Sequence, residues 1–232
     1  ARLLAEANRP LYVITMSSAR NARNLAEALD SGADDFIEKP PGPEELHARL
    51  RAAERLTTMQ SELIRLADTD SLTGLLNRRA FLQKSRDAAE RVGDHGRMSA
   101  ILLDIDHFKR INDEYGHDVG DAAIQAVCRE LALDGIVGRL GGEEFGIILP
   151  HRASTEAEGV ATRLRRSMEA LRIRGGRVPI RLTCSFGVSE WSEGDTIEGL
   201  LKRADIALYE AKTTGRNRVV SAASDLVLAR AG

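Results

Sequence analysis

The chain has 232 residues, enough for one compact domain and part of another, and its 43% of hydrophobic residues is typical of a globular protein. A formal charge of −2 and an aromatic content of 4% give no reason to expect a nucleic-acid or membrane partner. The longest apolar runs are too short to insert into a bilayer. Cys128 and Cys184 lie in apolar segments without metal-type spacing, which predicts a reduced, cytoplasmic protein.

The N-terminal part has an α/β pattern. A short run of β-forming residues predicts a strand at 11–18, and the spacing of the apolar residues that follow predicts a helix that Gly32 ends. A second strand is predicted at 34–40, because Pro40 and the prolines after it close the segment. The chain begins at Ala1 without a methionine, so we expect that its true start is missing.

A long helix is predicted from Glu44 to Leu66. Its first apolar face is formed by Leu46, Leu50 and Ala53, and the apolar positions then shift. The later positions have the 3-4-3 spacing of a coiled-coil seam, and we call them the apolar stripe: Leu56, Met59, Leu63 and Leu66. The shift favours a helix that packs on a domain at its start and on another helix at its end. A single globular helix is the alternative, because two heptads do not exclude it.

The remainder of the chain alternates short strands with helices. Helices are predicted at 78–92, 120–133, 154–171 and 196–215, and strands at 99–106, 136–140, 143–150, 181–191 and 218–220. The segment HFKRIN after the strand 99–106 is predicted to begin a loop. Tight turns between strands favour an antiparallel or mixed sheet that is covered by helices.

The stretch RLGGEEFGIILP (139–150) predicts a hairpin with a functional turn. Gly141 and Gly142 join two strands, and such a turn tolerates positive φ at both positions. Glycine there would also let the phosphates of a ligand approach the backbone. The alternative is an ordinary turn, in which Glu143 and Glu144 form its solvated end.

A carboxylate at the end of a strongly apolar strand weakens that alternative. Asp104 follows the run AILL, where a lone buried carboxylate is costly unless it is paired or binds a metal. If this strand lies beside the hairpin, Asp104, Glu143 and Glu144 converge at one edge of the sheet. Oxygen ligands of this kind suit Mg²⁺, which commonly binds one or two carboxylates together with nucleotide phosphates, and they do not distinguish Mg²⁺ from Mn²⁺.

Three polar residues follow this carboxylate. Lys109 is placed for a phosphate contact, and Asn112 and Asp121 supply an amide and a carboxylate. An amide that donates to O6 and a carboxylate that accepts from N1 and N2 together recognise the edge of guanine. For each residue taken alone, helix capping is the alternative.

Four motifs in their order along the chain resemble the GGDEF family, the diguanylate cyclases. They are DSLTGLLNRR (70–79), DIDHFKRINDEYGHDVGD (104–121), RLGGEEF (139–145) and ADIALYEAKTTGRN (204–217), and the resemblance runs over about 150 residues, from Asp70 to Val220. It implies a palm-like α/β domain of the nucleotidyl-cyclase type, with a central antiparallel sheet and flanking helices. We expect this domain at 69–221, with a C-terminal tail at 222–232.

The resemblance also implies a role for each motif residue. The metal site is formed by Asp104, the Ile105 carbonyl, Glu143 and Glu144, and it holds two Mg²⁺ or Mn²⁺ ions in each active site. The substrate GTP is bound by the backbone of 107–109, which includes His107, Phe108 and Lys109, and by Asn112, Asp121, Gly141, Gly142, Lys212 and Arg216. The catalytic residues are Glu143, Glu144, Lys109 and Arg139. The alternative for Lys212 and Arg216 is the ordinary cationic end of a helix.

The implied reaction joins two GTP molecules into cyclic di-GMP and releases two pyrophosphates. The 3′-hydroxyl of one GTP attacks the α-phosphate of the other, and Glu143, or a hydroxyl held at the metal site beside it, is the candidate base. Each domain holds one GTP, so catalysis requires a homodimer, and the apolar stripe is the expected contact. The alternative is a non-catalytic GTP-binding or protein-interaction module on the same fold. A DNA-binding response regulator is not favoured, because no basic helix-turn-helix domain follows.

Residues 1–55 resemble the second half of a response-regulator receiver domain. Ser17 matches its switch hydroxyl, and Lys39 with the cis-compatible Pro40 matches its KP motif. The first half, with the phospho-accepting aspartate, is absent, so we expect a piece of a longer protein whose partner is a histidine kinase. Residues 44–68 are the expected linking helix, a coiled-coil stalk.

One departure from the family concerns regulation. Many members carry an RxxD product-binding site before the GG hairpin, whereas LALDGIVGRL (131–140) lacks this pair. We therefore expect weak or absent product inhibition through that site.

Overall fold

The structure is a computed structural model that describes residues 10–18, 22–93, 96–132, 135–174 and 179–222. The chain separates into two compact units, of which the first ends at Ala67 and the second begins at Asp68. Most of the predicted tail, the first nine residues of the predicted receiver part and the end of the predicted helix 120–133 lie outside the described residues.

The first unit has a strand–helix–strand arrangement followed by a long helix. Its elements are β1 (Ile14–Ser17), α1 (Ala22–Asp30), β2 (Asp35–Glu38) and α2 (Pro43–Asp68). The two strands pair in parallel, with Ile14 opposite Asp35. The Lys39–Pro40 peptide bond is cis. All four elements were predicted from the sequence, and only the strands are shorter than expected.

Helix α2 buries none of its side chains within the described part of the chain. The exposed fraction of the apolar stripe is 47% at Leu56 and between 61% and 65% at its other three residues. Near the start of the helix, Arg49 donates hydrogen bonds to both carboxylate oxygens of Asp35 at 2.6 and 2.8 Å. Hydrophobic side chains exposed at this spacing form an apolar patch whose contact with water is unfavourable.

The second unit is a five-stranded sheet with helices on both faces. Its elements are α3 (Arg78–Val92), β3 (Met98–Ile105), α4 (Phe108–Tyr115), α5 (His117–Glu130), β4 (Ile136–Arg139), β5 (Glu144–Pro150), α6 (Ser154–Ala170), β6 (Cys184–Glu190), α7 (Ile197–Thr213) and β7 (Val219–Ser221). The strand order is β4-β5-β3-β6-β7. Neighbouring strands are antiparallel except β6 and β7, which are parallel. The sheet is therefore mixed, which is one of the two arrangements that the tight turns favoured, and its parallel β6–β7 pair departs from the antiparallel sheet that the family resemblance implies.

The central strand β3 is buried along its whole length. Ile101 and Leu103 point into a core shared with α5 and α6, while Ala100 and Leu102 point into a second core shared with α3 and α7. A strand that is covered on both faces reads as a continuous apolar run, because both sets of alternating side chains are buried. This explains why Asp104, near its end, stands out in the sequence.

The segment after β3 differs from the prediction. Residues 108–115 form α4, where a loop was expected, and α5 begins at His117 instead of residue 120. Phe108 and Ile111 are buried, so the helix has an apolar face of only two turns. Such a short helix is too brief for periodicity to reveal it.

Strand β6 also begins later than predicted, at Cys184 instead of residue 181. The Asp106 amide donates a hydrogen bond to the carbonyl of Thr183 at 2.9 Å, which continues the β3–β6 register one residue beyond the pair of Ile105 and Cys184. Among the described residues, no helix has the length and apolar character needed to cross a membrane.

Candidate active site

Strand β3 lies beside the hairpin strand β5, and this pairing brings the three predicted carboxylates to the same end of the sheet. In the pairing of β3 with β5, Asp104 lies opposite Glu144. The amide of Ile105 donates to the carbonyl of Glu143 at 3.4 Å, so the hairpin continues the register past the end of the strand. Three acidic residues therefore meet where β3 leaves the core.

Asp104 is the buried member of this group. Its exposed fraction is 6%, and its carboxylate forms an ion pair of 2.8 Å with the Nζ of Lys212 at the end of α7. Burial raises the pKa of Asp104 to about 6; the hydrogen bond and charge of Lys212 oppose this, and the charges of Glu143 and Glu144 add to it. The site thus holds an ionised carboxylate at a cost in free energy, even though the ammonium group of Lys212 is paired with it.

The chemistry of the donor set fits a divalent cation. The three side chains offer only oxygen donors, as Mg²⁺ and Mn²⁺ prefer. A cation here would also offset the repulsion that raises the pKa of Asp104. Among the described residues, no three acidic, histidine or cysteine side chains are gathered closely enough to enclose a metal by themselves. Mg²⁺ sites commonly complete their shell with water and substrate phosphates.

The GG turn is built differently from the prediction. Neither Gly141 nor Gly142 has a positive φ, so the turn does not use the left-handed conformation that glycine tolerates. A Cβ atom at Gly141 would lie 2.9 Å from Oε2 of Glu144, whereas a Cβ atom at Gly142 would meet no atom within 4 Å. The first glycine therefore makes room for a carboxylate, and the second faces open space.

Arg139 holds this turn closed. Its guanidinium donates to the carbonyls of Gly141 and Gly142 at 2.7 to 3.2 Å. It also donates to both carboxylate oxygens of Asp70 at 3.0 and 3.1 Å. The arginine fixes the main chain just before the two glutamates, because a guanidinium makes several hydrogen bonds in one fixed plane.

Asp70 is a site residue that the sequence analysis did not single out. Burial raises the pKa of its carboxyl, but the hydrogen bonds from Thr73 and Arg139 outweigh burial, and the pKa lies below the ordinary value. Asp70 is therefore held ionised as the partner of Arg139. Its position at the start of the DSLTG motif was a signal, although its partner lies 69 residues away in sequence.

The backbone at the start of α4 offers hydrogen-bond donors. His107 precedes the helix in the left-handed conformation, with φ of 57°, and its side chain makes no capping hydrogen bond. Lys109 stands exposed on the first turn. The N-terminus of a helix attracts anions, because its first amides have no partner within the helix and its dipole is positive there.

The two predicted guanine-binding residues lie on neighbouring helices. Asn112 is on α4 and Asp121 is on α5, and Gly116, with φ of 87°, joins the two helices. Asn112 is partly buried and Asp121 is exposed. Neither side chain caps its helix, so the capping alternative does not explain them.

Arg216 lies in the turn between α7 and β7. It is exposed and has no charged partner among the residues that the structure describes, and its φ of 62° is left-handed. The next residue, Asn217, also has a positive φ, and its backbone N–H donates a hydrogen bond to the buried carboxylate of Asp106 at 3.0 Å. Asp106 also accepts hydrogen bonds from Thr183 and Ser185, so it anchors this turn to β6.

Asp106 was the second site residue missed by the sequence analysis. Its signal was the repeat of aspartate two positions after Asp104, which places both at the same end of β3. Sequence alone does not separate a carboxylate that holds loops from one that holds a ligand.

Comparison with known proteins extends this picture. The sequence profile of the family described as diguanylate cyclase, GGDEF domain, matches residues 67–218. The response regulator PleD of Caulobacter vibrioides is 38% identical over 94% of this chain and 52% of its own length. The diguanylate cyclase VdcA of Vibrio cholerae is 44% identical over 73% of this chain and 50% of its own length. The chain thus spans about half the length of these curated relatives.

Solved structures have the same fold. The coiled coil and GGDEF domain of DgcB from Caulobacter crescentus, in complex with c-di-GMP, is 34% identical, with a TM-score of 0.69 over 76% of this chain and 99% of that one. The active GGEEF domain of a diguanylate cyclase from Vibrio cholerae is 33% identical, with a TM-score of 0.58 over 64% and 98%. With the profile match and the carboxylate edge, these likenesses show that the chain belongs to the GGDEF diguanylate cyclase family.

Proposed function

We propose that the protein is a diguanylate cyclase, which condenses two GTP molecules into cyclic di-GMP and two pyrophosphates. The observation that carries the proposal is the buried Asp104, ionised beside Glu143 and Glu144 at the end of β3 and paired with Lys212. Buried and closely spaced charges of this kind destabilise a protein, and they are typical of sites where the carboxylates bind a cation and the lysine binds an anion. Two relatives whose names state this activity support the same reading.

The carboxylate edge is the proposed metal site. Asp104, Glu143 and the Ile105 carbonyl would hold one Mg²⁺ or Mn²⁺, and Glu144 would bind a second. The bound cations supply Lewis-acid stabilisation of the charge that develops on the transferred phosphoryl group. The hydrogen bonds of Arg139 to the turn support its part in this site, because they hold the two glutamates in place.

The triphosphate is proposed to lie between the start of α4 and the end of α7. The free amides of 107–109 and the exposed ammonium of Lys109 would bind it on one side, and Lys212 and Arg216 on the other. The open space at Gly142 lets the α-phosphate approach the backbone, and this accounts for a glycine that no neighbouring protein atom requires.

The base is proposed to bind between α4 and α5. Asn112 would donate to guanine O6, and Asp121 would accept from N1 and N2. Adenine presents the opposite donor and acceptor pattern at these positions, so the pair would favour GTP over ATP.

The reaction proceeds by in-line displacement. The 3′-oxygen of one GTP forms a bond with the α-phosphorus of the other, the bond from that phosphorus to the β-phosphate oxygen breaks, and pyrophosphate leaves with the electron pair. Glu143 accepts the 3′-hydroxyl proton. The reciprocal step closes the ring and releases the second pyrophosphate.

Two GTP molecules bound to separate domains must meet face to face, so the active form is proposed to be a homodimer. The exposed apolar stripe of α2 is the proposed contact, because burying it against a second copy would remove its apolar surface from water. A relative solved with its coiled coil supports this arrangement.

The first unit is proposed to be the second half of a receiver domain. Its two parallel strands are joined through a helix, as in doubly wound folds, and the relative named a response regulator aligns with 94% of the chain. A histidine kinase would then be the partner of the full-length protein.

Incubation of the purified chain with GTP and Mg²⁺, followed by chromatography of the nucleotides, tests the proposal. We expect cyclic di-GMP from the wild type and none from Glu143→Ala. GTP binding without product, in a sample shown to be dimeric, would instead support the non-catalytic module. The dimer is verified by light scattering, so that an unpaired chain is not mistaken for an inactive one.

A further inference from the structure

We propose that Gly120 is a specificity-determining positioning residue, which leaves the space that the Asn112 amide needs to reach guanine. The inference rests on the proposed function, because it assigns no separate ligand. It adds a residue that touches neither GTP nor metal.

The geometry around Gly120 is unusually close. The residue is buried in the first turns of α5, where this helix packs against α4. A Cβ atom built on it would lie 1.9 Å from Oδ1 of Asn112 and 3.2 Å from the Cζ of Phe108. No side chain fits at this position while Asn112 keeps its present place.

The backbone gives no other reason for glycine here. Gly120 does not have the positive φ that favours glycine, and it lies inside a helix. Glycine in a helix interior costs about 1 kcal/mol relative to alanine. A residue that weakens its own helix must be compensated elsewhere, and the space beside Asn112 is the compensation that the structure offers.

The consequence of adding a methyl group at Gly120 follows from what it meets. The nearest atom is the end of a side chain, which can rotate away, so the helix pair can still form. Rotation would take the Asn112 amide away from the base. Folding would then be almost unaffected, whereas recognition of the guanine O6 would be lost.

The test compares two glycine-to-alanine variants in helices. In Gly120→Ala we expect the KM for GTP to rise about 10- to 100-fold, as when one hydrogen-bonding group of a binding site is lost, with kcat changed far less. Gly159→Ala in α6 is the matched control, because its Cβ would meet only the Arg163 guanidinium at 3.8 Å. We expect the control to keep the wild-type KM, and both variants to melt within a few degrees of the wild type.

A base analogue separates lost recognition from general damage. The triphosphate of 2-aminopurine riboside lacks both O6 and the hydrogen on N1, so the wild type should bind it more weakly than GTP. We expect Gly120→Ala to weaken GTP binding while leaving binding of this analogue unchanged, measured by calorimetry with non-reacting α-thio nucleotides. Equal loss for both nucleotides would mean a structural defect and would overturn the inference.

A double-mutant cycle with Asn112→Ala completes the test. If Gly120 acts through Asn112, then Gly120→Ala adds no further loss of GTP affinity in the Asn112→Ala background. An undiminished loss there, or a wild-type KM in the single variant, would overturn the inference. If Asn112→Ala itself leaves GTP affinity unchanged, the proposed guanine contact fails, and the role of Gly120 fails with it.

Discussion

The two units of the chain differ in how far their apolar side chains are buried. In the described part of the chain, the second unit has two cores, and the largest of its fully buried side chains are Phe81, Phe145 and Phe186. Among its described residues, the first unit buries only the hydrophobic side chains of Phe36 and Ile37. Twelve large hydrophobic side chains of the described residues are exposed, and nine of them belong to the first unit, so the imbalance is not a matter of a single helix.

The difference separates stability from assembly. Buried apolar area stabilises a fold by roughly 25 cal/mol per Å², so the two cores are the main stabilising feature of the second unit. The first unit leaves most of its large apolar side chains exposed, and the proposed dimer contact uses part of this surface. The second unit has a costly point at Asp104, where the proposed function requires an ionised carboxylate inside the protein.

Replacing the carboxylate of Asp104 should have the largest effect, because activity should fall while stability rises. We expect Asp104→Asn to lower cyclase activity at least about 1000-fold, because the proposed metal loses its buried ligand. The metal-free variant should nevertheless unfold at a higher urea concentration than the wild type at pH 7, since a neutral amide has no charge to desolvate. Activity assays and urea titrations monitored by circular dichroism measure both effects. Destabilisation of the variant would mean that the Lys212 pair, not burial, dominates at this position.

Truncation of a core side chain should destabilise the second unit specifically. Phe81 contacts the core between α3 and the sheet, and Phe81→Ala should lower the free energy of unfolding by about 3–5 kcal/mol. Leu63→Ala, on the exposed face of α2, is the matched control and should change it by less than about 0.5 kcal/mol. Equal effects of the two changes would contradict the contrast between the units.

The free energy of unfolding of the second unit should depend on pH through Asp104. Burial raises the folded-state pKa of Asp104 from its ordinary value of 3.8 to about 6, so protonation favours the folded state. This contribution is fully present below pH 3.8 and is lost as the pH rises through 6, for a total of about 3 kcal/mol. Subtracting the urea curves of Asp104→Asn from those of the wild type between pH 4 and 8 isolates the effect. A flat difference would argue against it.

The smallest effect on folding, and the most selective, should come from the apolar stripe. Met59→Ser combined with Leu63→Ser should leave the unfolding of the second unit unchanged, because both side chains are mostly exposed. The pair should shift the protein from dimer to monomer in analytical ultracentrifugation and lower activity in proportion to the lost dimer. A monomeric wild type, or an unchanged dimer in the variant, would place the contact elsewhere.

Much of the fold could be predicted because its signals are local. The apolar run of β3, the glycine pair before β5 and the spacing in α3 each fix an element within a few residues. The convergence of Asp104 with Glu143 followed from one further assumption, that the two strands are neighbours. The family resemblance supplied what local patterns do not contain, namely which polar residues belong to one site.

The remaining features depend on contacts between distant residues. The hydrogen bonds of Arg139 join it to Asp70, and those of Asp106 join it to Asn217, 111 residues away, so no local pattern contains either pair. Helix α4 was missed because two turns give too little periodicity. Arg139 donates a hydrogen bond to the Gly142 carbonyl of the GG turn, and neither glycine of the turn has a positive φ.

The ion pair between Asp104 and Lys212 also bears on how such a site decays over evolutionary time. Loss of Lys212 first would leave a buried carboxylate without its cation, which lowers stability. Loss of Asp104 first would release a lysine whose side chain is 31% exposed and can turn to water. A descendant that abandons catalysis should therefore give up the aspartate before the lysine, and chains with lysine alone should outnumber chains with aspartate alone.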